Sequence, residues 1–124
     1  MEICNFEIAK KLKEKGFNEL CYKYYQKGVL DSDDCWNRYN KGTADRCSAP
    51  AISQVLKWLR EEKKYHIEFV GNACGYLFII SDVPSEGGTD RYCSDYSGPN
   101  DGGTWDKYED CVLAGIEYVL DNLI

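Results

Sequence analysis

The sequence predicts an α+β protein in which three helices pack on a mostly antiparallel sheet of four to five strands, in the order α-β-β-α-β-β-(β)-α. Three observations carry that expectation. Ile52, Val55, Leu56 and Leu59 recur at helical spacing, with Gln54, Lys57, Arg60 and Glu61 on the other side. After Tyr65 the period changes to two through Ile67 and Phe69, and a dense apolar run follows from Tyr76 to Ile80. Consecutive strand candidates are separated by short turns, which favours antiparallel neighbours. The 124 residues suit a single domain, 1–124, and fractions of 44% apolar and 29% charged residues are those of an ordinary folded chain.

The elements follow in order. Asn5 is placed to cap a first helix whose stripe is Ile8, Ala9 and Leu12, with Gly16 as its stop and Phe17 folding back onto it. Leu20 to Tyr25 is suited to a strand, and Lys27-Gly28 turns it into a short partner at Val29-Leu30. Asp31 to Arg46 is polar and reads as a loop anchored by Trp36 and Tyr39. Its close aspartates, Asp31, Asp33 and Asp34, lack the alternating ligands, mid-loop glycine and terminal Glu of a calcium-binding hand, so they read as a solvated loop. Ser48-Ala49-Pro50 marks the start of the second helix, because proline fits a first helical turn and resists an interior.

A break at Gly71-Asn72 separates the next two strands. Gly87-Gly88, Gly98-Pro99 and Gly102-Gly103 then punctuate a stretch that reads as a plain mobile loop, with Asp90 to Tyr96 as a candidate third strand. A phosphate cradle there would need a nearby basic residue, and Asp101 and Asp106 carry the wrong sign. The last helix shows the chemistry of a capping box, Asp106 with Glu109, followed by a stripe of Tyr108, Val112, Ile116, Val119 and Leu123. Gly115 in that helix suggests close approach to a strand, since it costs about 1 kcal/mol relative to alanine.

The formal net charge of -6 is unevenly distributed, with residues 71–124 holding Arg91 and Lys107 against a long series of acids. That sign disfavours general affinity for nucleic acid or anionic membranes. No apolar run approaches the roughly 20 residues of a membrane span, and the first residues lack the basic-then-apolar order of a signal peptide. The expectation is a cytoplasmic protein without a membrane partner. Its seven cysteines are then thiols, and none of them has the spacing of a zinc knuckle or redox motif, so neither a metal site nor a cofactor is expected.

Lys-Lys-Leu-Lys-Glu-Lys-Gly-Phe at 10–17, Ser-Ala-Pro at 48–50, Leu-Lys-Trp-Leu-Arg-Glu at 56–61 and Tyr-Val-Leu-Asp-Asn-Leu-Ile at 118–124 resemble a family of short uncharacterised proteins carried by phages and prophages of gut Bacteroides-type bacteria. The likeness spans both ends of the chain and the second helix and is weaker in the loops. Family members often have Thr where this chain has Ala51, and Tyr-Glu-Glu-Ala where it has Tyr108-Glu109-Asp110-Cys111. The resemblance implies an accessory protein expressed inside a bacterial host and supplies no catalytic or binding residues.

These residues predict a non-enzymatic protein that acts by binding an unidentified host or phage protein, with Trp36, Tyr39 and Tyr96 as contact residues. The competing explanation is that these rings pin the loops to their own core. An alternative function is a nucleic-acid-associated regulator using the basic faces of the first two helices, including Lys57, Arg60, Lys63 and Lys64. The second half shares the helix-strand-strand-strand-helix order of double-stranded RNA binding domains, but has acids where those have basic residues. A third reading, a cysteine-dependent enzyme with His66 as base, lacks any local signature; a lone histidine is more often structural.

Overall fold

A computed structural model describes residues 3–19, 21–37, 46–82, 92–95, 97–100 and 102–124, and for 32–37 and 92–95 it describes the backbone. The elements are α1 (Phe6–Glu14), β1 (Cys21–Gln26), β2 (Val29–Asn37), β3 (Arg46–Ser48), α2 (Ile52–Glu61), β4 (Tyr65–Asn72), β5 (Gly75–Asp82), β6 (Tyr92–Asp95) and α3 (Tyr108–Asn122). The class is α+β with antiparallel pairing throughout the described strands. The strands form two three-stranded sheets, ordered β2-β1-β3 and β4-β5-β6, instead of the expected single sheet of four to five strands. The physical reason is local. Arg46–Ser48, between the expected loop ending at Arg46 and the helix entry at Ser48-Ala49-Pro50, pairs with β1 as β3 and gives the first hairpin a third strand of its own. The chain divides into two compact units, Met1–Val55 with Ile124, and Leu56–Leu123. Among the described residues no helix is long and apolar enough to cross a membrane.

In the first unit, Asn5 caps α1 as its sequence position predicts, its side chain accepting the Ile8 N–H at 2.9 Å. Ile8, Ala9 and Leu12 are fully buried, and beyond Gly16 the Phe17 N–H returns to the Leu12 carbonyl at 2.9 Å with its ring in the core. The β1–β2 turn has Lys27 and Gly28 both at positive φ, 52° and 81°, the mirror-image turn whose twist suits a hairpin. Phe6 packs against Tyr25 with centroids 5.4 Å apart, and the Tyr25 hydroxyl donates to the Cys4 carbonyl at 2.7 Å, tying helix to hairpin.

β2 corrects the reading of Asp31 onward as loop. It continues to Asn37, but its ladder jumps from Lys23↔Ser32 to Cys21↔Asn37, so 33–36 stand as a bulge opposite Tyr22. Pairing with β1 holds this aspartate-rich stretch in a strand that its own propensity would not favour. Ahead of α2, Pro50 lies outside the helix and accepts the Cys4 N–H at 3.0 Å, while Ala51 bridges to Ile3. The helix therefore begins at Ile52, later than the proline suggested.

In the second unit, Trp58 and Leu59 of α2 are buried, whereas Leu56, expected in the stripe, is half-buried. β4 and β5 pair without interruption from Tyr65↔Asp82 to Asn72↔Gly75, so the turn sits at Ala73-Cys74, two residues beyond the expected break. Ile67, Phe78 and Ile80 form the sheet's buried side, and Cys111, Val112, Ile116, Val119 and Leu120 of α3 are buried as well. Each such side chain is worth roughly 1.5–3 kcal/mol of transfer free energy. Gly115 explains the close packing of α3. A Cβ there would lie 3.2 Å from Phe69 and Phe78 and 3.3 Å from Ile67, so the expected close approach is present. The expected capping box is absent: α3 starts at Tyr108 after Lys107, with no side-chain cap. Asp106 instead accepts a bond from Asn100 Nδ2 at 2.6 Å.

Candidate functional site

In the second unit a polar network surrounds the β4–β5 turn. Asn72 Oδ1 accepts the Cys74 N–H at 2.8 Å, a side-chain turn that shapes the hairpin tip. The Cys74 carbonyl accepts from Asn100 Nδ2 at 2.9 Å and from the Thr104 hydroxyl at 2.8 Å. Thr104 is buried, so that hydroxyl is bonded where an unpaired one would be costly. Tyr76 and Trp105 exchange both backbone bonds, at 2.8 and 2.9 Å. Within the loop itself Asn100 N–H donates to the Thr104 carbonyl and Gly103 N–H to the Asn100 carbonyl, both at 2.9 Å. The described residues of 97–106 are thus stitched to the hairpin, which corrects the reading of a plain mobile loop there. Sequence alone hid this because the partners lie 26 and 30 residues apart.

Beside this tip lies an aromatic ledge. Tyr108, at the start of α3 and 42% exposed, meets Phe69 and Tyr76 edge to face, with centroids 5.7 and 5.6 Å apart. Phe69 and Tyr76 are half-buried, so the three rings form a step of which Tyr108 is the outer lip. Exposed Asp106, Glu109 and Asp110 border it, and the carboxylates of the first helical turn suit the positive end of the α3 dipole. Asp106 and residues 71–76 line an adjoining open concavity of about 600 Å³.

The first unit gathers thiols. Burial pushes Cys4 up to about 12, with the neighbouring Cys21 and Cys47 adding to the effect. Burial likewise pushes Cys21 up to about 11. Cys47 is raised by burial despite the opposing pull of Lys13 and Lys10, which line a cleft of about 370 Å³ with it. In the second unit burial alone pushes Cys111 up to about 11. A thiol held protonated at neutral pH is a weak nucleophile. All five cysteines with described side chains are free, with Cys74 exposed at the hairpin tip. Among the described residues no group of three His, Cys, Asp or Glu could hold a metal ion. His66 is exposed on β4 opposite Ser81.

Of the predicted contact residues, Trp36 ends the β2 bulge, with its side chain outside the description, and Tyr39 and Tyr96 lie outside the described residues. The ledge of Phe69, Tyr76 and Tyr108 was not singled out from the sequence. Tyr108 falls on the α3 stripe and reads as core; the residues that follow it in sequence, Glu109 and Asp110, are the signal that its end of the helix faces water. No protein-family model, curated protein or solved structure matches the chain.

Proposed function

We propose that this protein is a non-enzymatic accessory protein that binds another protein through the aromatic ledge of Phe69, Tyr76 and Tyr108. The observation that carries the reading is Tyr108 packed edge to face on both Phe69 and Tyr76, a half-exposed step bordered by carboxylates. Rigid aromatic anchors are the residues that dominate interfaces, and here their edge-to-face packing fixes them before a partner arrives. The border of Asp106, Glu109 and Asp110 selects a partner segment that combines an apolar anchor with Lys or Arg. An accessory role inside a bacterial host, implied by the family resemblance, is compatible with such a surface.

The cysteine-enzyme reading loses support from the raised thiols described above. The nucleic-acid reading loses support because basic groups of α1 are engaged within their own unit: Lys13 Nζ donates to the Arg46 carbonyl at 2.6 Å, and Lys10 lies 3.5 Å from Glu7 and 4.9 Å from the Phe6 ring centre. Selection of a random peptide library against the full chain tests the proposal. Enrichment of basic peptides carrying an aromatic or aliphatic anchor is expected, with affinity falling about tenfold or more on Tyr108→Ala, which is 1.4 kcal/mol or more. Tyr22→Ala, at a more exposed ring in the other unit, should leave binding unchanged. Acidic or featureless selections, or binding indifferent to Tyr108→Ala, would refute it.

A further inference from the structure

Among the described strands β4 has one neighbour, β5, and so leaves its other side without a described partner. Tyr76 on β5 directs both backbone groups away from β4, toward Trp105. Bonding alternates along an antiparallel ladder, so Gly75, Leu77, Ile79 and Ser81 are the β5 residues that bond β4, through Asn72, Val70, Glu68 and His66. The N–H and C=O groups of Tyr65, Ile67 and Phe69 therefore point out of the edge, and no described residue bonds to them. Sheets ordinarily blunt such an edge with brevity, proline or a bulge. β4 has eight residues, no proline and an unbroken register with β5.

The geometry points to β4 pairing antiparallel with the β4 of a second copy of this chain, across a two-fold axis through Ile67. In that register Ile67 faces its own counterpart and Tyr65 faces Phe69 of the second copy, so every outward amide and carbonyl at these positions finds a partner. His66 and Glu68, both exposed, then face each other across the axis, imidazole against carboxylate, on each side of it. The neighbouring registers with the same bonding parity are poorer. Moving the axis to Tyr65 sets Glu68 against Glu62 and His66 against Lys64, all of them exposed. Moving it to Phe69 sets Glu68 against Val70 and leaves His66 opposite Asn72. Carboxylates directly opposite each other are destabilising, whereas an imidazole N–H opposite a carboxylate can donate to it, so the sequence selects the axis at Ile67. The pairing is isologous, as a closed dimer requires, and extends one sheet through both copies.

Analytical ultracentrifugation of the full chain over a concentration series, with residue-resolved amide exchange at each end of it, tests this. A monomer–dimer equilibrium is expected, in which the amides of Tyr65, Ile67 and Phe69 gain protection with concentration while those of His66, Glu68 and Val70 change little. His66→Glu sets carboxylate against carboxylate and should weaken dimerisation about tenfold, equivalent to 1.4 kcal/mol. The swap His66→Glu with Glu68→His restores imidazole–carboxylate pairs and should restore the dimer. Both positions are exposed, and circular dichroism checks that each variant keeps its fold. A chain that stays monomeric throughout, a dimer protected at other amides, or a swap no stronger than His66→Glu alone would overturn the inference.

Discussion

The two sheets begin from the same device, a β-hairpin given a third strand, and treat their outer strands differently. In the first unit the outer strands are broken up: β2 carries a bulge at 33–36 and β3 spans three residues. In the second unit β4 runs straight for eight residues. The helices differ in step with this. α1 meets its hairpin through discrete contacts, Phe6 on Tyr25 and the Tyr25 hydroxyl on the Cys4 carbonyl, while α3 reaches its sheet at Gly115, where no side chain intervenes. Aromatic contacts join helix to sheet in both units, and the regular sheet adds a close helix approach at Gly115. The regular one is also the one whose long outer strand, among the described residues, has a side without a partner.

Alkaline pH should separate the units most strongly. A thiol whose pKa is raised in the fold stays protonated there while the unfolded chain ionises above about 9, so its stabilisation is intact below that pH and is lost as pH climbs toward 11 and 12. Of the thiols raised by burial, Cys4, Cys21 and Cys47 lie in the first unit and Cys111 in the second. The urea midpoint should therefore fall above pH 9, and Cys4→Ala with Cys21→Ala should flatten that fall more than Cys111→Ala does. Equal flattening would erase the distinction. Next in size, Gly115→Val crowds Phe69, Phe78 and Ile67 and should cost about 2 kcal/mol in denaturant unfolding. A loss under about 0.5 kcal/mol, the scale of an ordinary surface change, would show that close approach does not hold the second unit.

Thr104→Val keeps the shape of a buried residue but deletes its bond to the Cys74 carbonyl, for an expected loss of about 1 kcal/mol by the same assay. The smallest effect has the opposite sign. Lys27 holds φ 52°, a conformation that asparagine tolerates better, so Lys27→Asn should stabilise the first unit by about 0.5 kcal/mol. A destabilised variant would mean that the Lys27 side chain supports the turn in some other way.

What the sequence revealed was mainly local chemistry. The Asn5 cap, the Gly16 stop, the Lys27-Gly28 turn and the close approach at Gly115 each depend on a residue and its near neighbours, and the structure has all four. What stayed hidden was pairing over distance. β3 gains its role from β1, and β2 persists through Asp31 because β1 holds it. Asp106 had the right spacing for a cap, but Asn100, which joins it through the folded loop, claims its carboxylate. The ledge was hidden for the same reason: Phe69 and Tyr76 come together through the β4–β5 register, and Tyr108 joins them only when α3 docks.

Phe69 belongs to two surfaces, its ring to the ledge and its backbone to the β4 edge. A particle joined along that edge would carry two identical contact patches at a spacing set by the shared sheet. Toward a target displaying repeated basic segments, the second contact would form at high effective concentration once the first was made, so modest individual affinities could add up to slow release. A target with one such segment would gain nothing, and so the number of copies joined, more than the chemistry of each patch, would decide which targets are retained.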